Sequence, residues 1–128
     1  MMPGRVLDVA ALVDIAVAKT NYSRSIVTTC LLAGGRICIP ATVYSTVVSI
    51  VPLRTKLDLF ELVTTPGVEI DDLTAGKAMD IAEILDGSRD VTAGHVVWCS
   101  LKTRWPILTD RGDELRNYDP QIEIDPVP

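Results

Sequence analysis

Histidine and cysteine are scarce in this chain, and the scarcity narrows its chemistry. Its 128 residues include one histidine, His95, and three cysteines, Cys30, Cys38 and Cys99. The cysteines are odd in number, widely spaced and set among apolar residues. That pattern suits buried thiols in a reducing compartment better than a disulfide framework or a zinc site. With a single histidine a Cys/His metal site is short of ligands, and no local motif supports a Cys–His catalytic pair. No apolar run is long enough to span a membrane, because residues 37–52 are interrupted by Thr, Tyr and Ser. A basic-then-apolar leader is also lacking, since Asp8 and Asp14 interrupt the one candidate, and a cytoplasmic protein is the expectation. Gly34-Gly35 precedes a strand instead of opening a helix, so the dinucleotide-loop and P-loop patterns fail. No Gly-x-Ser-x-Gly elbow occurs, which leaves a serine hydrolase unsupported.

What is present is a single-domain length (residues 1–128), a hydrophobic fraction of 48% and a charged fraction of 23%. The net charge of −5 argues against broad attraction to nucleic acid but leaves room for a local basic groove. Short apolar strands are predicted at residues 5–7, 36–39, 68–70, 107–109 and 121–124, with helices between them. The first helix covers residues 9–19, and a second, capped by Asn21 or Ser23, runs to Leu32 before Gly34-Gly35. Residues 41–51 combine strand-like Thr and Val content with a length after Pro40 that favours a helix, and helix is the choice made. A helix from Pro52 to about Val63 carries Leu57, Phe60 and Leu62 on or near one side. Thr74 and Asp90 cap two further helices, residues 75–85 and from 90 to about 103. A short helix over 113–117 precedes the last strand, and the final four residues read as a loose tail. Strands alternating with helices imply one α/β domain, a parallel sheet covered on both faces.

In such a sheet the strand C-termini share one edge, where ligands are usually held. Asp8 and Asp110 each end a strand, and Asp90, at a helix N-terminus, can join them there. Three carboxylates converging in this way would hold Mg²⁺ or Mn²⁺, hard cations that prefer oxygen ligands. Such an ion activates water and steadies the leaving oxygen of a phosphodiester. Lys102, Arg104 and Arg111 bracket the fourth strand and are the candidate phosphate contacts. Each residue also has a plainer reading: Asp8 and Asp90 as helix caps, Asp110 as a turn former, the cations as a solvated face. His95, near Trp98 on an otherwise apolar face, reads as a satisfied core residue, and Trp98 and Trp105 read as packing.

Taken in order, several segments carry a resemblance: Val6-Leu7-Asp8-Val9-Ala10-Ala11-Leu12-Val13, Ile37-Cys38-Ile39-Pro40-Ala41 and Asp90-Val91-Thr92-Ala93-Gly94-His95-Val96-Val97. Trp105-Pro106-Ile107-Leu108-Thr109-Asp110 and Ile122-Glu123-Ile124 complete the series. With these the chain resembles the PIN-domain family, the fold of many VapC-type toxin ribonucleases. The resemblance implies a three-layer α/β/α sandwich with a five-stranded parallel sheet and an acidic pocket at one edge. It also implies about four carboxylates binding Mg²⁺ or Mn²⁺ to cut RNA, a homodimer, and restraint by an antitoxin-like protein. Asp8 matches the first acid. The second is expected after Pro40, where Tyr44, Ser45 and Thr46 stand instead. Ala93 falls in the register of the third and Arg111 in that of the fourth, with Asp90 and Asp110 beside those positions. An arginine there would pair with Asp8 and take the metal's place electrostatically. The sequence therefore favours a PIN-like domain with an impaired metal site that binds RNA or a protein partner. The alternative is an active metal-dependent ribonuclease toxin using Asp8, Asp90 and Asp110. The two helices over 42–51 and 54–63 are the expected homodimer face. A receiver-like regulatory domain is the weakest option, for it needs an acidic pair after the first strand and a lysine after a late one.

Overall fold

Aliphatic runs of three to five residues, too short for helices, build the sheet, and longer amphipathic segments cover it. In a computed structural model, residues 3–128 are described. The order is β1 (Gly4–Leu7), α1 (Val9–Val17), α2 (Tyr22–Leu32), β2 (Arg36–Pro40), α3 (Ala41–Ile50) and α4 (Leu53–Val63). It continues with β3 (Val68–Asp71), α5 (Ala75–Leu85), α6 (Val91–Thr103), β4 (Ile107–Thr109), α7 (Gly112–Arg116) and β5 (Ile124–Pro126). All four strand pairings are parallel and the sheet order is β3-β2-β1-β4-β5. Right-handed crossovers from β1 to β2 to β3 carry the first four helices to one face. The return from β3 across to β4 carries α5 and α6 to the other face. Consistently, α1 packs on α2, α3 and α4, while α6 packs on α5 and lies across β1, β2 and β4. The result is the three-layer α/β/α sandwich that the strand and helix pattern implies.

Because both faces are covered, the strands are continuous in their burial: Val6, Leu7, Ile37, Ile39, Ile107 and Leu108 are fully buried. Leu12, Val43, Leu59, Val96 and Val97 close over them from the helices. Gly94 permits the close approach of α6 to α5, because a Cβ there would stand 2.8 Å from both Ile81 Cγ2 and Leu85 Cδ2. Residues 41–50 form a helix, as read from the sequence.

Three details differ from the sequence reading. The last strand forms at Ile124–Pro126 instead of 121–124, since a turn occupies the residues before it and Ile122 is buried ahead of the strand. The C-terminal tail is held, not loose. Asp125 bonds Arg5 Nε at 3.1 Å and the Tyr22 hydroxyl at 2.9 Å, and the Val127 amide donates to the Thr109 carbonyl at 2.8 Å. On α4 the inward residues are Leu59, Leu62 and Val63, which face α1 and β3, whereas Leu57 and Phe60 point to solvent.

The chain leaves β1 toward β2 on one side, and β4 lies on the other. The crevice outside their carboxyl ends is the topological switch point, the usual ligand position in an open parallel sheet. Asp8 follows β1 directly, and Thr109 to Arg111 end β4 and lead into α7.

Candidate functional site

Asp8 has the extended backbone of a helix N-cap, yet its carboxylate makes no capping bond to α1. It turns instead into the switch-point crevice, where its side chain is almost fully buried. Oδ2 accepts from the Thr109 hydroxyl at 2.7 Å and from Arg111 Nε at 2.7 Å, and Oδ1 accepts from Arg111 Nη2 at 3.0 Å. This is the bidentate fork that a guanidinium forms with a carboxylate. Arg111 spends its remaining donor Nη1 on Asp90 Oδ2 at 2.7 Å and on Glu114 Oε2 at 3.2 Å. The hydrogen bonds from Arg111 to Asp8 push the arginine's pKa above its already high value; burial opposes this, and the charges of Asp8 and Asp90 add to the rise. The guanidinium is a permanent cation fixed between two carboxylates.

Asp90 does double duty. Its Oδ1 accepts from the Ala93 amide at 3.0 Å, capping α6, while Oδ2 holds Arg111. Asp110 lies on the rim of the same pocket, exposed, and stays out of the Arg111 network. Asp110 stands one residue past the buried end of β4, in the bend that leads to α7. Thus Asp8 and Asp90 converge, and Asp110 does not join them. The pocket, of about 520 Å³, is lined further by Asp14, Lys19, Thr20, Thr46 and Thr92. Thr46, at the register where the resemblance implies an acid, donates its hydroxyl to the Thr42 carbonyl of its own helix at 2.8 Å. Ala93, at another such register, is buried.

The two other cations read as phosphate contacts lie elsewhere. Helix α6 runs away from the crevice, so Lys102 and Arg104 sit at its far end, by the start of β1, where the Trp105 ring lies against Gly4. Lys102 stands 5.7 Å from the centre of the Trp98 ring, and Arg104 caps α6 in the left-handed conformation, φ 62°. Arg104 lines a separate groove with Gln121 and Glu123. Only Arg111 of the three reaches the acidic pocket, and each of its three side-chain nitrogens is already bonded to a carboxylate.

A second polar cluster, at the ends of β2 and β3, escaped the sequence reading. His95 is fully buried, with Nε2 2.9 Å from Asp71 Oδ2 and Nδ1 3.0 Å from the Thr42 hydroxyl. The Cys99 thiol donates to the same Asp71 Oδ2 at 3.4 Å, and Lys77 Nζ pairs with Asp71 Oδ1 at 2.9 Å. Burial pushes the Asp71 carboxyl up, but hydrogen bonds from Lys77, His95 and Cys99 outweigh it and hold the group below its usual range. The neighbouring Cys38 thiol, burial and the Asp71 charge together keep Cys99 protonated. The signal that was available is the four-residue spacing of His95 and Cys99, which puts both on one face of a helix. His95 is a satisfied core residue, as expected from the sequence.

No family model matches the chain, and no curated protein matches it. Among the described residues no helix is long and apolar enough to cross a membrane.

Proposed function

We propose that this chain is a PIN-like domain that does not cut RNA and works as a dimeric protein-binding module. The observation that carries the reading is the bidentate pair between Arg111 and the buried Asp8. A hard divalent cation needs several oxygen ligands around one open position. In this pocket the position between Asp8 and Asp90 is filled by a guanidinium that already supplies the compensating charge. The residues therefore do not fit Mg²⁺ or Mn²⁺, and no hydrolytic step is derived through either ion. The lining of Asp8, Asp14, Asp90 and Asp110 against Lys19 and Arg111, with a net charge of −5, disfavours RNA and favours a protein partner.

The partner that the surface fits is a second copy of the chain. Leu53, Leu57 and Phe60 recur at helical spacing on the outer face of α4 and are 75%, 64% and 62% exposed, with Ile50 exposed just before them. Basic Arg54 and Lys56 occupy the first half of that helix and acidic Asp58 and Glu61 the second. Two antiparallel copies of α4 would bury the apolar stripe and set opposite charges side by side, as an isologous interface requires.

The metal reading is checked by melting the purified protein with and without Mn²⁺. No rise in melting temperature is expected, and no metal-dependent RNA cleavage. A rise or a cleavage activity that disappears in Asp8→Asn would overturn the proposal. The partner reading is checked by sedimentation equilibrium. A dimer is expected for the wild type and a monomer for Leu57→Glu/Phe60→Glu. A wild type that stays monomeric at high concentration, or a dimer untouched by these exposed substitutions, removes the α4 interface.

A further inference from the structure

We propose that Asp71, His95 and Cys99 form a three-donor binding site for Zn²⁺, with the fourth position left to water. It is independent of the acidic pocket and of the reading given to that pocket. The Asp71, His95 and Cys99 ligand atoms all lie within 4.8 Å of one another. In a tetrahedral zinc site, with Zn–S about 2.3 Å and Zn–N and Zn–O about 2.0 Å, ligand atoms stand about 3.3–3.6 Å apart. Here His95 Nε2 and Cys99 Sγ stand 2.9 Å and 3.4 Å from the same oxygen, Asp71 Oδ2. A few tenths of an ångström of expansion bring both onto a common ion.

The chemistry follows from what the donors hold now. Oδ2 receives two protons, one from an imidazole and one from a thiol. A divalent ion in their place takes the lone pairs of all three atoms, releases the thiol proton to solvent and requires the imidazole proton to move from Nε2 to Nδ1. Mixed sulphur, nitrogen and oxygen donors select Zn²⁺ over Mg²⁺ or Mn²⁺. The surroundings are those of a supported site. The Thr42 hydroxyl lies 3.0 Å from His95 Nδ1 and can accept the proton once it stands there, which supports the tautomer that frees Nε2 for a metal. Lys77 holds the opposite carboxylate oxygen at 2.9 Å and so orients Oδ2 inward. Cys38 is buried beside Cys99. The Cys99 thiolate and the Asp71 carboxylate supply the two negative charges that balance a divalent ion. Entry is past Asp71 and Lys77, whose side chains are 22% and 26% exposed.

The test uses the full chain freed of metal by a chelator, with thiols kept reduced. Addition of Co²⁺ is expected to give a thiolate-to-cobalt charge-transfer band with tetrahedral ligand-field bands, bleached by one equivalent of Zn²⁺. The acidic pocket contains no sulphur, so this band cannot arise there, and its loss in Cys99→Ala separates the Asp71–His95–Cys99 site from the Cys30 thiol. Zn²⁺ affinity is expected to fall in Cys99→Ala and in Asp71→Asn by more than the roughly tenfold to hundredfold typical of losing an outer-shell partner. Asp71→Asn preserves size at a partly exposed position and serves if Cys99→Ala does not fold. Absence of a thiolate band in the wild type overturns the proposal. So does Zn²⁺ affinity in Asp71→Asn equal to that of the wild type.

Discussion

Arg111→Ala is expected to lower the melting temperature by roughly 10–20 °C, from a loss of about 3–5 kcal/mol. The substitution removes an exposed-side partner, but the group it abandons is Asp8, which is only 1% exposed. Asp8 would keep a single donor, the Thr109 hydroxyl, with Asp90 and Glu114 no longer neutralised at the same pocket. A buried carboxylate stripped of its cation costs far more than the net worth of the pair, because desolvation has already been suffered. Arg111→Lys should recover only part of the loss, since an ammonium cannot reproduce the two-pronged contact. The same alanine variant carries a second expectation of opposite sign. Freed of the guanidinium, Asp8, Asp90 and Glu114 become an open carboxylate cluster, and Mn²⁺, inert toward the wild type, should raise the variant's melting temperature. A drop of less than about 1 kcal/mol by denaturant titration would show that the fork does not hold Asp8. A variant that is destabilised yet blind to Mn²⁺ would show that Arg111 does not stand in for a cation.

The pairing of Asp8 with Arg111 was legible through the PIN-domain resemblance, which put Arg111 in the register of an acid that would face Asp8. In a parallel sheet two strands that are neighbours bring their C-terminal residues together, whatever lies between them in the chain. The adjacency of β1 and β4, which are not consecutive strands, comes from the structure. Asp90 was legible for a different reason, as the polar residue that starts a helix. Asp110 reaches the same pocket, as its place after β4 implied, but lies on the exposed rim in the bend before α7, outside the Arg111 network. Lys102 and Arg104 were misjudged through closeness in sequence to β4; a helix antiparallel to the strands delivers its C-terminus to the opposite edge.

The Asp71 cluster was not legible because its parts come from β3, α3, α5 and α6 with no common motif. The third strand was read as ending at Ile70, but its pairing with β2 continues to Pro40 opposite Asp71. That one residue turns a surface acid into the acceptor for His95, Cys99 and Lys77. The outward turn of Leu57 and Phe60 was hidden for a related reason. The helix carries apolar residues on two faces, and periodicity does not say which face meets the sheet. Tertiary packing decides in favour of Leu59 and Leu62.

The second large effect is expected at Asp14, which the sequence offered only as an interruption in an apolar stretch. Asp14 Oδ1 accepts from the Thr20 amide at 2.6 Å and the Thr20 hydroxyl bonds both carboxylate oxygens at 2.9 and 2.8 Å. Oδ2 also accepts from the Ser23 amide at 3.2 Å, and the whole side chain is 3% exposed. Asn21, at the cap position of α2, makes no side-chain cap bond. The start of α2 is thus satisfied by a carboxylate reaching over from α1, which also fixes the turn that follows Ala18 in the left-handed conformation, φ 51°. Asp14→Ala leaves the Thr20 and Ser23 amides without their acceptor and should cost about 3 kcal/mol, roughly a 10–15 °C fall in melting temperature. Asp14→Asn keeps one acceptor oxygen and should lose less. The pH dependence has a definite sign. Burial raises the Asp14 carboxyl, but the hydrogen bonds from Ser23 and Thr20 outweigh it and hold the folded-state value below the usual one. The contribution is therefore complete above the unfolded carboxylate value and is lost as the pH falls through the folded one. Below about pH 4 the wild type should lose stability more steeply than Asp14→Asn, which has no proton to take up. Parallel melting curves for the two proteins through that range would show that this carboxylate does not join α1 to α2.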